Sequence, residues 1–174
     1  MAVDERRAQL LEIGIELFSQ SSYDELSIDA IAKAAGVSKG LLYHYFVSKR
    51  GYYVAAVEEA ARDLLDRIDV DPEGSPGERL RAGVDAYLSY VEERSGAYQA
   101  LLQSGVGVDA EIARVVEVTR AEVLRRLMDG LGLDPSTDPV LHMGALGWIG
   151  FTEASCLHWL TTRAVSRDTV RDLL

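Results

Sequence analysis

Apolar residues recur along this chain at intervals of three and four, the period of a helix that turns one face to a core. From Asp4 to Gln20, Leu10, Leu11, Gly14, Leu17 and Phe18 fall on one side, with Arg6, Arg7, Glu12 and Glu16 elsewhere. Two short helices are predicted within 26–46, and a long one from Lys49 to about Ile68, with Ser48 as its cap. The long helix has an apolar face of Tyr52, Val54, Ala56, Val57, Ala60, Ala61, Leu64, Leu65 and Ile68. The stretch Asp69 to Gly77, rich in Pro, Gly and acid, is a loop. Further helices are predicted over about Glu78–Arg94, Ser95–Gln103, Ala110–Leu131 and Pro139–Arg163, followed by a short segment from Ser166 to Leu174. Glycine-bearing breaks at 105–107 and 130–132 separate the later ones. The expected fold class is all-α, with a small helical domain over 1–48 and a larger helical domain over 49–174.

The stretch LSIDAIAKAAGVSKGLLYHYF, Leu26 to Phe46, carries the most information. Ser27 is suited to cap one helix, Gly36 to end it in a left-handed conformation, and Ser38 to cap the next. Two capped helices around a glycine turn make the helix-turn-helix pattern, whose second helix enters the DNA major groove. At 100° per residue, Leu42 and Phe46 of that second helix point inward. Gly40, Leu41 and His44 take the opposite side, with Tyr43 and Tyr45 on the flanks. Such a helix meets base edges along its outer edge and phosphates along its sides. Lys39 and Lys49 place positive charge at its two ends.

The helix from Pro139 to Arg163 is apolar on more than one face. One stripe holds Ala145, Leu146, Ile149, Cys156 and Leu160 together with His142 and Glu153. A second holds Gly144, Trp148, Phe151, Ser155, Trp159 and Thr162. A helix with two faces to bury has to be covered twice. Another copy of the chain is the expected second cover, with Gly144, Phe151, Ser155, Trp159 and Thr162 at the interface. A two-fold dimer would set its recognition helices about one DNA turn apart, roughly 34–36 Å or a multiple, and would read a pseudo-palindrome. Tyr87, Tyr90, Tyr98, Leu102, His142 and Trp148 are expected to wall a pocket for a mostly apolar small molecule.

A formal net charge of −10 in 174 residues looks unsuited to DNA, but its distribution answers the objection. Through residue 51, six basic residues stand against seven acidic ones, leaving twelve against twenty-one for the remainder. All three lysines fall in that first segment, so it can approach phosphate while the body repels it. A single cysteine, Cys156, excludes a disulfide framework within the chain and suits a reducing cytoplasm. No stretch resembles a signal peptide or a membrane span. No nucleotide fingerprint, metal-ligand cluster or nucleophile elbow is present, so neither a cofactor nor a metal nor catalysis is expected. His142 and Glu153 share a stripe but lie about 16 Å apart along the helix, too far to act as a pair.

Around the second helix the sequence resembles the DNA-binding domain of the tetracycline-repressor (TetR) family of bacterial regulators. The motif is VSKGLLYHYFVSK, Val37 to Lys49, and the likeness extends upstream to Leu17 and Phe18. One departure is Ser21-Ser22-Tyr23, where the family usually has a Gly before the aromatic residue. The resemblance implies phosphate contacts at Ser27, Ser38, Tyr43, Tyr45 and Lys49, and base contacts at Lys39, Gly40, Leu41 and His44. It also implies dimerisation through the last two helices and a small-molecule effector. The expected function is thus a cytoplasmic repressor that binds its operator as a homodimer and is released by ligand. The alternative is an all-helical small-molecule-binding or interaction protein whose helix-turn-helix is only structural.

Overall fold

The computed structural model describes residues 3–21, 23–69, 74–102, 109–132 and 139–174. Ser22, residues 70–73 of the expected loop at 69–77 and the expected break at 105–107 lie outside the described residues. Helices run over α1 (Val3–Gln20), α2 (Ile28–Ala34), α3 (Lys39–Tyr45), α4 (Lys49–Arg67), α5 (Pro76–Glu93), α6 (Ser95–Ala100), α7 (Ala110–Gly130), α8 (Pro139–Thr162) and α9 (Arg167–Leu173). Among the described residues there is no strand, and the fold is all-α. It comprises an N-terminal helix-turn-helix domain and a helical C-terminal domain. No described helix is long and apolar enough to cross a membrane.

The described chain forms two compact units, one of 1–62 with 94–115 and one of 63–93 with 116–174. The core of the first gathers Leu10, Leu11, Ile15 and Phe18 of α1, Ile31 and Ala32 of α2, Leu42 and Phe46 around α3, and Tyr52, Ala55 and Ala56 of α4. Most of these are the inward positions of the amphipathic patterns; Ile15 and Ala55 join them, and Leu17 is only partly buried. Tyr52 is fully buried and donates its hydroxyl to the Leu10 carbonyl. Burial without a charge partner pushes its pKa up. The α1 helix admits this ring because residue 14 is glycine, whose added Cβ would lie 2.7 Å from the Tyr52 hydroxyl. A second glycine lets α6 lie against α1, since a Cβ on Gly96 would come within 2.9 Å of the Ser19 carbonyl oxygen. Arg94 pairs with Glu12 beside this contact.

In the second unit, Leu124 and Met128 of α7 pack on Ile149 of α8, with Val123, Leu141, Ala145 and Trp148 around them. Arg120 of α7 grips Glu153 of α8 through two bonds, at 2.9 and 2.6 Å. One turn along, the buried Cys156 thiol is pushed up to about 12, chiefly by burial and further by Glu153. The segment from Ser166 is a capped helix: Ser166 Oγ accepts from the Thr169 N–H at 3.2 Å, and Val170 is buried. Arg167 ties it to α5 through the Asp85 carbonyl at 2.7 Å and Ser89 Oγ at 2.9 Å.

Candidate nucleic-acid interface

The helix-turn-helix is built by its serines and one glycine. Ser27 Oγ accepts from the Ala30 N–H at 3.1 Å and Ser38 Oγ from the Leu41 N–H at 3.1 Å, so both short helices are capped by a side chain. Gly36 ends α2 with φ at 64°; its own N–H donates to the Lys33 carbonyl and the next, of Val37, to the Ala32 carbonyl. That left-handed cap is what glycine supplies without strain. Ser48 Oγ accepts from the Gly51 N–H at 2.9 Å and starts α4. All of this agrees with the capping pattern read from the sequence.

The same geometry sorts α3. Leu42 is fully buried and Phe46 is 5% exposed. Ser38, Lys39, Gly40, Leu41, Tyr43 and His44 are exposed, and Tyr45 and Lys49 are half-buried. Ser27 also faces solvent. The outer edge thus presents a small residue, an aliphatic one and an imidazole, with two phenols beside them. Gly40 is not required by the fold. An added Cβ there would meet only Ser38 Oγ, at 3.9 Å, and glycine within a helix costs about 1 kcal/mol relative to alanine.

The cations are held in place by groups that no sequence pattern pointed to. Lys39 Nζ lies 3.0 Å from Asp29 Oδ2 on α2. Lys49 Nζ sits 4.1 Å from the centre of the Tyr23 ring, a cation–π contact. Tyr23 in turn packs against Phe18 and Tyr53. Arg7 of α1 lies over the Phe46 ring at 5.6 Å. Asp29 stands ten residues before Lys39, and Tyr23 twenty-six before Lys49, spacings that only the folded chain brings together.

Tyr98 and Leu102 belong to the first unit, and Tyr87, Tyr90, His142 and Trp148 to the second. Tyr90 is buried beneath the Arg67 guanidinium, 5.7 Å from its ring centre. The Trp148 indole N–H donates to the Leu174 carbonyl at 2.9 Å. His142 Nδ1 is buried without a hydrogen-bond partner among the described residues. Of the expected interface residues, Gly144, Phe151 and Thr162 are exposed and Ser155 is half-buried. Trp159 departs from the expectation: it is 4% exposed, because the turn after α8 folds back on it. Its N–H donates to the Val165 carbonyl at 3.0 Å, and the Arg163 guanidinium lies 4.5 Å from its ring centre.

The uncovered face of α8 runs instead through Val140, Met143, Leu146, Gly147, Gly150, Phe151 and Ala154. Val140 and Met143 are 72% and 67% exposed. A Cβ at Gly144, Gly147 or Gly150 would meet nothing within 4 Å.

A model of bacterial regulatory proteins of the tetR family matches residues 10–56, and one of tetracyclin repressor-like C-terminal domains matches 76–174. The HTH-type transcriptional activator FasR of Mycolicibacterium smegmatis is 29% identical over 170 residues, covering 95% of this chain and 78% of that protein. The HTH-type transcriptional regulator BetI of Escherichia coli is 33% identical over 101 residues, 56% of this chain and 52% of that protein. The crystal structure of a tetR-family regulator from Streptomyces coelicolor superposes with a TM-score of 0.89 at 34% identity, covering 99% of this chain and 78% of that one.

Proposed function

The chain belongs to the TetR family of bacterial transcriptional regulators and acts by binding DNA, and from that premise we propose that it binds a pseudo-palindromic operator as a homodimer and represses until a small molecule releases it. The observation that carries the reading is the pair of serine-capped helices, with Leu42 buried beneath an open edge of Gly40, Leu41 and His44. Lys39, Gly40, Leu41 and His44 are assigned to base edges. Ser27, Ser38, Tyr43, Tyr45 and Lys49 are assigned to phosphates, positions that hold register without reading sequence.

The second copy is assigned to the open face of α8. Among the described residues, a Cβ on Gly144, Gly147 or Gly150 would meet nothing within 4 Å, and four large apolar side chains of α8 meet solvent. Small residues let two helix backbones approach closely, which gives those glycines a purpose that the isolated chain lacks. The effector is assigned to the second unit, with Tyr87, His142 and Trp148 among its contacts. The buried, unpartnered His142 Nδ1 supports a ligand carrying one hydrogen-bonding group on a mostly apolar body.

Selection of bound sites from random duplexes with the purified protein tests the reading. Recovered sites with two-fold symmetry and half-sites about one turn apart support it, and binding without sequence preference refutes it. A second reading, activation from the same operator, is favoured by the activator named among the similar proteins. A reporter placed behind the recovered site separates the two by the sign of its response.

A further inference from the structure

Arg50 stands one residue beyond Lys49, in the first turn of α4, and although its side chain is half exposed, each nitrogen of its guanidinium meets a carboxylate. Its Nε donates to Asp109 Oδ2 at 2.8 Å and its Nη2 to Asp109 Oδ1 at 2.9 Å. Nη1 lies 2.7 Å from Glu111 Oε2. Asp109 also begins α7, its Oδ1 accepting from the N–H groups of Glu111 at 2.9 Å and Ile112 at 3.4 Å. Just inside, the fully buried Ile112 packs on Val54 and Val57 of α4, with Tyr53, Leu101 and Val115 around them. All of these residues lie in the first unit.

Exposed ion pairs generally contribute little, but bidentate arginine–carboxylate pairs in a fixed network are the exception. This one has a two-point fork, a third bond and an apolar floor. The Arg50 guanidinium and the helix N–H groups together hold the Asp109 carboxyl below its ordinary range. The first turn of a helix has N–H groups with no partner inside the helix, and it frays unless tied. In α4 that turn carries Lys49 and follows Ser48.

We infer that Asp109 is a positioning residue for DNA binding: by gripping Arg50 it holds the first turn of α4, with Ser48 and Lys49, in the register that meets phosphate. The inference rests on the assignment of Ser48's neighbour Lys49 to a phosphate, and the test keeps the two apart.

Affinity for the selected operator is measured over a range of salt with the full chain and four variants. Asp109→Asn keeps a side chain able to cap α7 but loses the charged fork. Arg50→Gln leaves the α7 cap untouched, so one of the two remains informative should the other fold poorly. Each is expected to weaken operator binding about fivefold, the low end of couplings between linked sites, and the double variant no more than either single. The slope of log affinity against log salt stays unchanged, because no phosphate contact is removed. Lys49→Ala, measured in parallel, flattens that slope by about 0.9. If only this last result fails, the phosphate assignment falls, and the reading of Asp109 falls with it because nothing is left to position. Stronger binding with a steeper slope in Asp109→Asn would show Arg50 to be a withheld phosphate ligand. A flatter slope in Arg50→Gln would show a direct contact. Unchanged affinity with a lower melting temperature would reduce the fork to a brace of the fold. Each of these overturns the inference.

Discussion

Helices α3 and α8 both leave apolar surface open to solvent, and they do so in different company. On α3, the exposed Leu41 and Tyr43 are bordered by His44, Lys39 and capping serines, and the nearest cations are steadied by Asp29 and Tyr23. On α8, the exposed Val140, Met143, Leu146 and Phe151 are bordered by glycines and Ala154. The first surface offers hydroxyls, an imidazole and positive charge, which suits a polyanion with readable edges. The second offers shape and hydrocarbon alone, which suits a surface of the same kind. Exposure by itself therefore says little about partner. The chemistry at the rim decides it.

The comparison is most severely strained by putting charge on α8. Phe151→Asp should leave the fold intact, dissociate the dimer and lower operator affinity about 100-fold or more, the scale of losing one of two linked contacts. Sedimentation alongside mobility shift checks it, and a folded wild-type monomer at micromolar concentration would remove the basis for the contrast. Trp159→Asp is the control. Its charge would be buried in the chain's own core, so it should unfold the protein rather than split a dimer.

On α3 the effects should be smaller and sequence-dependent. His44→Ala should cost about 1–3 kcal/mol on the cognate site and leave random DNA unaffected, whereas Tyr43→Phe should weaken both alike. Titrations on selected and scrambled duplexes distinguish them. Equal loss on both by His44→Ala would take it out of base reading.

Gly40→Ala and Gly147→Ala sharpen the contrast further. Neither Cβ would crowd its own chain, so each should raise thermal stability, by about 0.5–1 kcal/mol, the ordinary gain for alanine in a helix. Gly40→Ala should weaken DNA binding without changing association, and Gly147→Ala should weaken association first. A calorimetric scan with the two binding measurements shows whether stability and partner affinity move in opposite directions.

The smallest effect concerns acid. Glu122 on α7 is held at about 2, first by Arg125 and then by Arg126. A carboxyl lowered in the folded state adds stability above its ordinary value near 4.5 and loses it as pH falls toward 2. Glu122→Gln should accordingly flatten the stability curve across that window, by lowering stability slightly above about 4.5 and leaving it unchanged near 2. Denaturant midpoints at pH 2.5, 3.5 and 5 as rough sampling points would show it.

The helix-turn-helix was legible because its determinants are local. Ser27, Gly36 and Ser38 act on residues within three or four positions, and the inward turn of Leu42 and Phe46 follows from the helix period alone. Ser166 caps its helix by the same local means, yet the pattern there predicts only a short segment over 166–174, and the structure supplies the helix. What stayed hidden is set by contacts between distant segments. Nothing near Arg50 announces Asp109, fifty-nine residues on. The two-sided character of α8 was visible, yet its open face was not, because a helix apolar all round gives no angle by which to orient it. Trp159 shows why: the turn at Arg163 to Val165 covers it, and only the folded chain reveals that cover.

Both tryptophans of the protein, Trp148 and Trp159, stand on α8, and each indole N–H is bound to a carbonyl of the following segment. The helix-turn-helix contains none, so the molecule carries a spectroscopic label already sorted by place. Emission excited selectively in the indoles comes from the second unit alone. A titration with operator DNA should be dark in this channel if the units are energetically independent. Any change in its intensity or wavelength measures, without engineering or dye, how far news of the DNA travels along the chain.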